Sequence, residues 1–150
     1  RQGAVSAAAV CAVFARLRDK VAAIHRAGVV VGDLNAGNVL VTGGEPHLID
    51  AESMQYAGFP CEVAHERTCD PRLYGVDLAR APAFDPGSDW YAFGVLLFEE
   101  GTDLVDGRVG VLARTQQSPG RAAELGAFVR TQDGGVDLGI DRIRQGVENL

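Results

Sequence analysis

The chain has 150 residues, 47% of them hydrophobic, and a mean hydropathy of +0.03, a balance typical of a globular protein with one core. The formal net charge is −6 and the lysines and arginines are scattered, so a nucleic-acid groove has little support and we expect no nucleic-acid partner. No run of about eighteen uncharged apolar residues is present, so we also expect no membrane span, no signal peptide and a cytoplasmic location.

The first predicted element is a helix over residues 6–26. Apolar side chains recur there at steps of three and four residues, which is the spacing of one helical face. Gly28 is expected to end the helix, and His25 is expected to pair with its terminal backbone carbonyls rather than to take part in chemistry. The predicted apolar face consists of Val10, Val13, Phe14, Leu17, Val21 and Ile24.

The most informative segment comes next and reads V-G-D-L-N-A-G-N-V-L over residues 31–40. Asp33 and Asn38 stand five residues apart between apolar runs, so a short loop between a helix and a strand would aim a carboxylate and an amide at one place. Asp, Asn and Gly also cluster in turns for backbone reasons alone. On its own, the segment leaves a catalytic loop and an Asx-rich turn equally open.

A β-hairpin is predicted after this loop. Two short β-rich runs, at residues 38–41 and 47–50, flank a turn at residues 42–45 that contains two glycines. Such a hairpin brings Asp50 back towards Asn38. Because Mg²⁺ usually takes one or two carboxylates together with phosphate oxygens and water, Asn38 and Asp50 are candidate metal ligands.

Residues 51–88 are predicted to form a long irregular loop, since they contain four prolines and several glycines. Cys61, His65 and Cys69 lie in this loop, but three ligands at such loose spacing do not make the four-ligand site of structural zinc. The odd number of cysteines and the lack of a C-x-x-C pair favour free thiols in a reducing compartment.

A second helix is predicted over residues 89–99, which are apolar nearly all round. That pattern is typical of a helix in the middle of a domain, and Ser88 or Asp89 would cap its N-terminus. Residues 101–150 receive no functional assignment, although two further helices are predicted within them, at residues 118–130 and 137–150.

Taken together, these segments resemble the C-lobe of a divergent, bacterial-type Ser/Thr protein kinase. The loop at residues 31–38 is similar to the family's catalytic loop, H-R-D-L-x-x-x-N. Asp50 follows Asp33 by seventeen residues, close to the family's distance to the metal-binding Asp of D-F-G, and residues 89–99 are similar to the run D-x-W-S-F-G-V-x-L-x-E. The expected fold of residues 1–100 is therefore α+β and predominantly helical: a kinase-like C-lobe whose hairpin carries the catalytic and metal-binding loops.

The resemblance implies phosphoryl transfer from ATP, with Mg²⁺, to a Ser or Thr hydroxyl of a protein substrate. Asp33 would be the catalytic base, and Asn35, at the position where Ser/Thr kinases keep a lysine, is the second candidate catalytic residue. Asn38 and Asp50 would bind the cofactor through the metal ion. Asp89 would accept hydrogen bonds from the catalytic-loop backbone and so support it.

The sequence also departs from the family's pattern. Val31-Gly32 replaces the His-Arg pair, so no arginine is present there to pair with a phosphorylated activation segment. Asn35 removes a positive charge where the transferring phosphate is handled. Ala51 and Glu52 replace the Phe and Gly of D-F-G, and the family's A-P-E anchor has no assigned counterpart.

No glycine-rich phosphate loop and no V-A-I-K lysine occur in these 150 residues, so we expect the chain alone to be inactive and to need an N-lobe from a larger protein. Two alternatives stay open. One is a small-molecule phosphotransferase, because the loop is also similar to the H-G-D-L-x-x-x-N-x-L loop of aminoglycoside and choline kinases, although Trp90, Phe93 and Gly94 favour the protein-kinase branch. The other is a catalytically weak pseudokinase scaffold.

Overall fold

The computed structural model describes residues 6–105. They form a small α+β unit with two long helices, α1 (Ala7–Arg26) and α2 (Pro86–Val105), and one antiparallel pair of strands, β1 (Val39–Thr42) and β2 (Glu45–Leu48). The α+β class predicted from the sequence is thereby confirmed. The two helices predicted at residues 118–130 and 137–150 lie outside the described residues. None of the described helices is long and apolar enough to cross a bilayer.

Helix α1 has the boundaries that its sequence signals predict. Ser6 caps the N-terminus, its Oγ accepting a hydrogen bond from the backbone N–H of Ala9 at 3.2 Å. At the other end Gly28 has a φ of +79°, and the N–H of Val29 donates to the carbonyl of Ile24 at 3.2 Å. This is a Schellman ending, which favours glycine because the left-handed conformation has no Cβ penalty there. All six residues of the predicted apolar face are buried: Val10, Val13, Phe14, Leu17, Val21 and Ile24.

The predicted hairpin is also present, with slightly different bounds. Val39 pairs with Leu48 and Thr42 with Glu45, so only Gly43 and Gly44 form the turn. Their φ angles of +59° and +81° are the positive pair that a two-residue hairpin turn of the primed type requires. The hairpin packs on α1, where Lys20 Nζ lies 2.8 Å from a carboxylate oxygen of Glu45.

Helix α2 begins three residues earlier than predicted, at Pro86. The cap is Asp85 rather than Ser88 or Asp89: Asp85 Oδ1 accepts from the N–H of Ser88 at 2.8 Å, and Ser88 Oγ accepts from the N–H of Asp85 at 3.3 Å. Pro86 occupies the first helical position, where its missing N–H costs nothing. The Asp-Pro-Gly-Ser run therefore opens the helix, and Asp89 lies inside its first turn.

The expectation that α2 is buried on all sides is wrong for the part of it that the structure describes. Its inner face packs on α1, where the rings of Phe14 and Phe93 meet edge to face with centroids 5.5 Å apart. On the outer face, however, Tyr91 is 41% and Phe98 is 75% exposed. Apolar composition all round a helix thus did not reveal which face would be covered.

The core lies between α1, α2, the hairpin and the loop that follows α1. Its most buried side chains are at most 2% exposed, and burying each contributes roughly 1.5–3 kcal/mol. Leu34 belongs to this set, so the residue after Asp33 is anchored in the core and fixes where the loop lies. The branched aliphatic members of the set are Leu17, Val21, Ile24, Leu34, Val39, Val41 and Leu96.

Candidate active site

The start of the loop at residues 31–38 is held by hydrogen bonds to the side chain of Asp89, which lies on α2. This side chain is fully buried, and its two carboxylate oxygens accept hydrogen bonds from the N–H groups of Val31 and Gly32, each at 2.8 Å. The bonds from the loop backbone to Asp89 that the resemblance implies are therefore present. Because each oxygen holds one amide, the loop entrance is fixed in position and in orientation.

His25 completes the support of Asp89. Its Nε2 lies 2.7 Å from Asp89 Oδ2, and its ring packs edge-on against Trp90 with centroids 5.3 Å apart. The expectation that His25 pairs with helix-terminal carbonyls is therefore wrong. Burial raises the pKa of the Asp89 carboxyl above its usual value, while the hydrogen bonds from His25, Gly32 and Val31 act in the opposite direction.

Asp33 and Asn38 are brought together at the tip of the loop. Asn38 Nδ2 donates to the backbone carbonyl of Asp33 at 3.0 Å and to its carboxylate Oδ2 at 3.1 Å. The other carboxylate oxygen, Asp33 Oδ1, is buried and accepts no hydrogen bond within the described part of the chain. A buried acceptor left unpaired costs about 1–3 kcal/mol, so a donor that reached this oxygen would be favoured.

Asn35 lies in the same loop, but its contacts are with the backbone. It is 6% exposed, its Nδ2 donates to the carbonyl of Asp33 at 3.1 Å, and its Oδ1 accepts from the N–H of Gly37 at 2.8 Å. The side chain therefore caps the short 3₁₀ turn at Ala36–Asn38. A direct catalytic role for Asn35 stays a prediction, since its amide is engaged in shaping the loop.

Asp50 directly follows Ile49, the residue after β2 that bonds to Asn38 immediately before β1. The N–H of Ile49 donates to the carbonyl of Asn38 at 3.0 Å, so the predicted return of the chain to Asn38 is confirmed. Asp50 itself is exposed, with a φ of +61° and a ψ of +44°. A non-glycine residue in the left-handed region costs free energy, and such residues cluster at functional sites.

Within residues 6–105, no three His, Cys, Asp or Glu side chains are grouped to hold a metal ion. Asn38 carries an amide oxygen and Asp50 a carboxylate, and the hydrogen bond from the Ile49 N–H to the Asn38 carbonyl brings their two stretches of backbone together. Because Asn38 Nδ2 donates to Asp33, its Oδ1 remains the atom for a metal. One amide and one carboxylate are too few ligands for a metal caged by protein alone, so a magnesium ion here would have to take its remaining ligands from phosphate and water.

One anchor that the sequence did not reveal is Arg72. Its guanidinium donates to Asp70 Oδ2 at 2.6 Å and to Asp85 Oδ1 at 3.2 Å, which joins the irregular segment to the cap of α2. Hydrogen bonds from Arg72 lower the pKa of Asp70, and those from Ser88 and Arg72 lower the pKa of Asp85. A sequence signal existed in Asp70-Pro71-Arg72, but its partner, Asp85, lies thirteen residues from Arg72.

Comparison with known proteins adds no assignment. No family model matches the chain, and neither a curated protein nor a solved structure is significantly similar to it. The functional assignment therefore depends on the loop geometry and on the motif resemblance.

Proposed function

We propose that this chain forms the catalytic half of a kinase-like phosphotransferase site, in which Asp33 acts on an acceptor hydroxyl and Asn38 and Asp50 hold Mg-ATP. The observation that carries the proposal is the state of the Asp33 carboxylate. One oxygen is oriented by Asn38, and the other is enclosed with no donor in the described residues.

A general base must lie within hydrogen-bond reach of the proton that it takes, and its geometry must be fixed. Asp33 meets the second condition because Asn38 orients its Oδ2 and Asp89 fixes the backbone just before it. Oδ1 is enclosed in this structure, so a substrate hydroxyl would satisfy this unpaired acceptor only after the groups that cover it move aside. That hydroxyl oxygen would attack the terminal phosphorus of ATP, its proton would pass to Asp33, and ADP would leave.

Asn38 and Asp50 would hold the magnesium ion, which when bound neutralises charge on the phosphates. The protein's own contribution is to orient one amide oxygen and to present one exposed carboxylate. Asn38 is preset by its two bonds to Asp33, whereas the Asp50 side chain accepts no capping bond from the turn that follows it. The nucleotide also needs a covering N-lobe, which these 150 residues do not encode as a glycine-rich loop and lysine.

We infer a Ser or Thr hydroxyl of a protein as acceptor, supported by the Asp89-to-Glu99 sequence and by the hold of Asp89 on the loop. One observation favours a catalytically weak scaffold as the second candidate. Asn35 carries no charge and its amide is used by the loop backbone, so the cation expected near the phosphate is missing at this position.

The test is a radiolabel transfer assay on the full-length protein, with protein acceptors and small alcohols or amines offered separately. We expect label on protein in the presence of Mg²⁺, and none for Asp33→Asn, which keeps the shape but removes the base. Asp19→Ala is the matched control, since Asp19 is an exposed acid whose ion-pair partner among residues 6–105 is its neighbour Arg18. Transfer to small acceptors alone would support the small-molecule class, and nucleotide binding without transfer would support the scaffold.

A further inference from the structure

The two ends of the irregular segment between Asp50 and α2 are joined by the side chain of Gln55. Its backbone pairs with Val30 in both directions, with N–H to O distances of 2.9 Å. Its side-chain amide pairs with the backbone of Phe84: Nε2 donates to the carbonyl at 2.6 Å, and Oε1 accepts from the N–H at 3.1 Å. Gln55 therefore joins the strand-like entrance of the catalytic loop to the residue that precedes the cap of α2.

A glutamine suits this position because a primary amide has both a donor and an acceptor, like the peptide group that it faces. An ionised glutamate only accepts, and a leucine does neither. Gln55 is 9% exposed and Phe84 is 6% exposed, so water does not replace a lost bond readily. Either change would leave buried backbone groups unpaired.

We call the contacts of Gln55 with Val30 and Phe84 the Gln55 clamp. The segment that this clamp holds contacts the loop at Gly32, directly before Asp33. A Cβ atom placed on Gly32 would lie 2.7 Å from Cys61 Sγ and 3.6 Å from the ring of Phe84, and the φ of Gly32 is +75°. No other amino acid fits that space without displacing Cys61. Both neighbours belong to the same segment as Gln55. Phe84 is the direct hydrogen-bond partner of Gln55, and Cys61 follows Gln55 by six residues in the chain.

Cys61 is fully buried, with its Sγ donating to the carbonyl of Val63 at 3.1 Å. Between it and Gln55 the chain makes a tight turn, in which Tyr56 and Phe59 pair through N–H to O distances of 3.2 and 2.7 Å. The position of Cys61 against Gly32 thus follows from the Gln55 contact and this turn. Cys61 and Phe84 of the irregular segment therefore lie against one side of Gly32, while the N–H of Gly32 donates to the carboxylate of Asp89 on α2.

We propose that Gln55 is a positioning residue, which holds the irregular segment against Gly32 and so fixes the geometry of Asp33 without phosphorylation of Thr68. For catalysis this rests on the proposed function. Two further observations agree with it. Thr68 of the segment is only 5% exposed, and the guanidinium of Arg72 is already bonded to Asp70 and Asp85.

The test uses the full-length protein with Gln55→Leu and Gln55→Glu, and Asp77→Ala as a control in an exposed turn of the same segment. The readouts are labelling of Cys61 by a thiol reagent, resolved by peptide mass spectrometry, and hydrogen exchange at Gly32 corrected for intrinsic rate. We expect both to rise about tenfold or more in Gln55→Leu. Labelling of Cys11, which is exposed, should not change, nor should either readout in Asp77→Ala.

Gln55→Glu tests whether Gln55 acts through its hydrogen bonds or only through the packing of its side chain. A protonated carboxyl again has one donor and one acceptor, so exchange at Gly32 should return towards the wild-type value as pH is lowered in Gln55→Glu but not in Gln55→Leu. If the full-length protein catalyses phosphoryl transfer, the Gln55→Leu substitution should lower kcat and leave the KM for ATP little changed. Unchanged labelling of Cys61 and unchanged exchange at Gly32 in Gln55→Leu would overturn the clamp whatever the activity. Altered labelling in a protein that transfers no phosphate would support the clamp and contradict the proposed function.

Discussion

The loop at residues 31–38 and the turn at residues 50–53 each carry one candidate acid, and the protein treats the two acids in opposite ways. Asp33 is oriented by Asn38, and the backbone before it is held by the buried carboxylate of Asp89. Asp50 is exposed, its backbone is left-handed, and its carbonyl rather than its carboxylate accepts the bonds from Ser53. One acid is fixed by the fold, while the other is presented to solvent.

This difference matches the two roles proposed for them. A base has to be placed before the substrate arrives, because its geometry sets the rate. A carboxylate that binds Mg²⁺ together with a nucleotide can be ordered by the ion itself, since the ion supplies the larger charge. The contrast therefore predicts different consequences for equivalent substitutions at the two acids.

The largest expected effect is on phosphoryl transfer. Asp33→Ala and Asp50→Ala in the full-length protein should each abolish it, since general-base catalysis alone contributes about 10²–10⁴-fold and the metal contributes as well. A radiolabel transfer assay measures this directly. If Asp33→Ala retained phosphoryl transfer, Asp33 would not be the base. The difference between the fixed Asp33 and the exposed Asp50 would then not reflect two catalytic roles.

The next largest effect concerns the support beneath the fixed acid. Asp89→Ala should lower the free energy of unfolding by about 1–3 kcal/mol, because it leaves the N–H groups of Val31 and Gly32 without an acceptor. Urea melts measure the change. Asp50→Asn is the comparison: the carboxylate is exposed and asparagine tolerates the left-handed backbone, so the substitution should leave the melt nearly unchanged. Equal losses in the two variants would contradict the distinction between a fixed and a presented acid.

Acid pH offers a smaller, signed effect through Arg72. Its hydrogen bonds lower the pKa of Asp70 from an ordinary value of 3.8. A lowered folded-state pKa gives stability that is present above the unfolded-state value and is lost as pH falls through the folded-state value. Wild-type stability should therefore decline below about pH 4 more steeply than that of Arg72→Ala. Arg80→Ala is the control, because Arg80 forms no ion pair within residues 6–105, and parallel acid slopes for Arg72→Ala and wild type would refute the assignment.

The smallest effect is expected at the surface pair of Arg67 and Glu99, whose charged atoms lie 2.7 Å apart. Both side chains reach solvent, so the pair should contribute only about 0.2–1 kcal/mol and less at high salt. A double-mutant cycle with urea melts measures it. A coupling as large as the loss in Asp89→Ala would mean that the segment is held by surface charge rather than by Gln55 and Arg72.

The sequence predicted the local elements well where short-range signals were strong. The apolar face of α1, Gly28 and the Gly43-Gly44 turn predicted the first helix and the hairpin, while the contact of Asp89 with the loop was implied by the resemblance of residues 89–99 to a kinase helix. What it did not predict depends on contacts between distant residues. His25 pairs with a carboxylate sixty-four residues away, and Gln55 with a backbone twenty-nine residues away.

The start and exposure of α2 were mispredicted for related reasons. Asp85-Pro86-Gly87 reads as a turn, but a proline at the first helical position and a reciprocal cap from Ser88 make it a helix start. The apolar outer face gave no periodic signal to separate it from the inner one. Burial there is decided by which element packs against the helix, and this information is not local.

Calorimetric titration of the full-length protein with ATP, with and without Mg²⁺, tests the central claim most directly. The wild type should bind ATP more tightly with Mg²⁺, Asp33→Ala should keep that affinity, and Asp50→Ala should lose at least about tenfold of it, because only Asp50 is a direct ligand of the ion. Equal affinities in all three proteins, or a loss in Asp33→Ala as large as that in Asp50→Ala, would contradict the division of roles between the two acids.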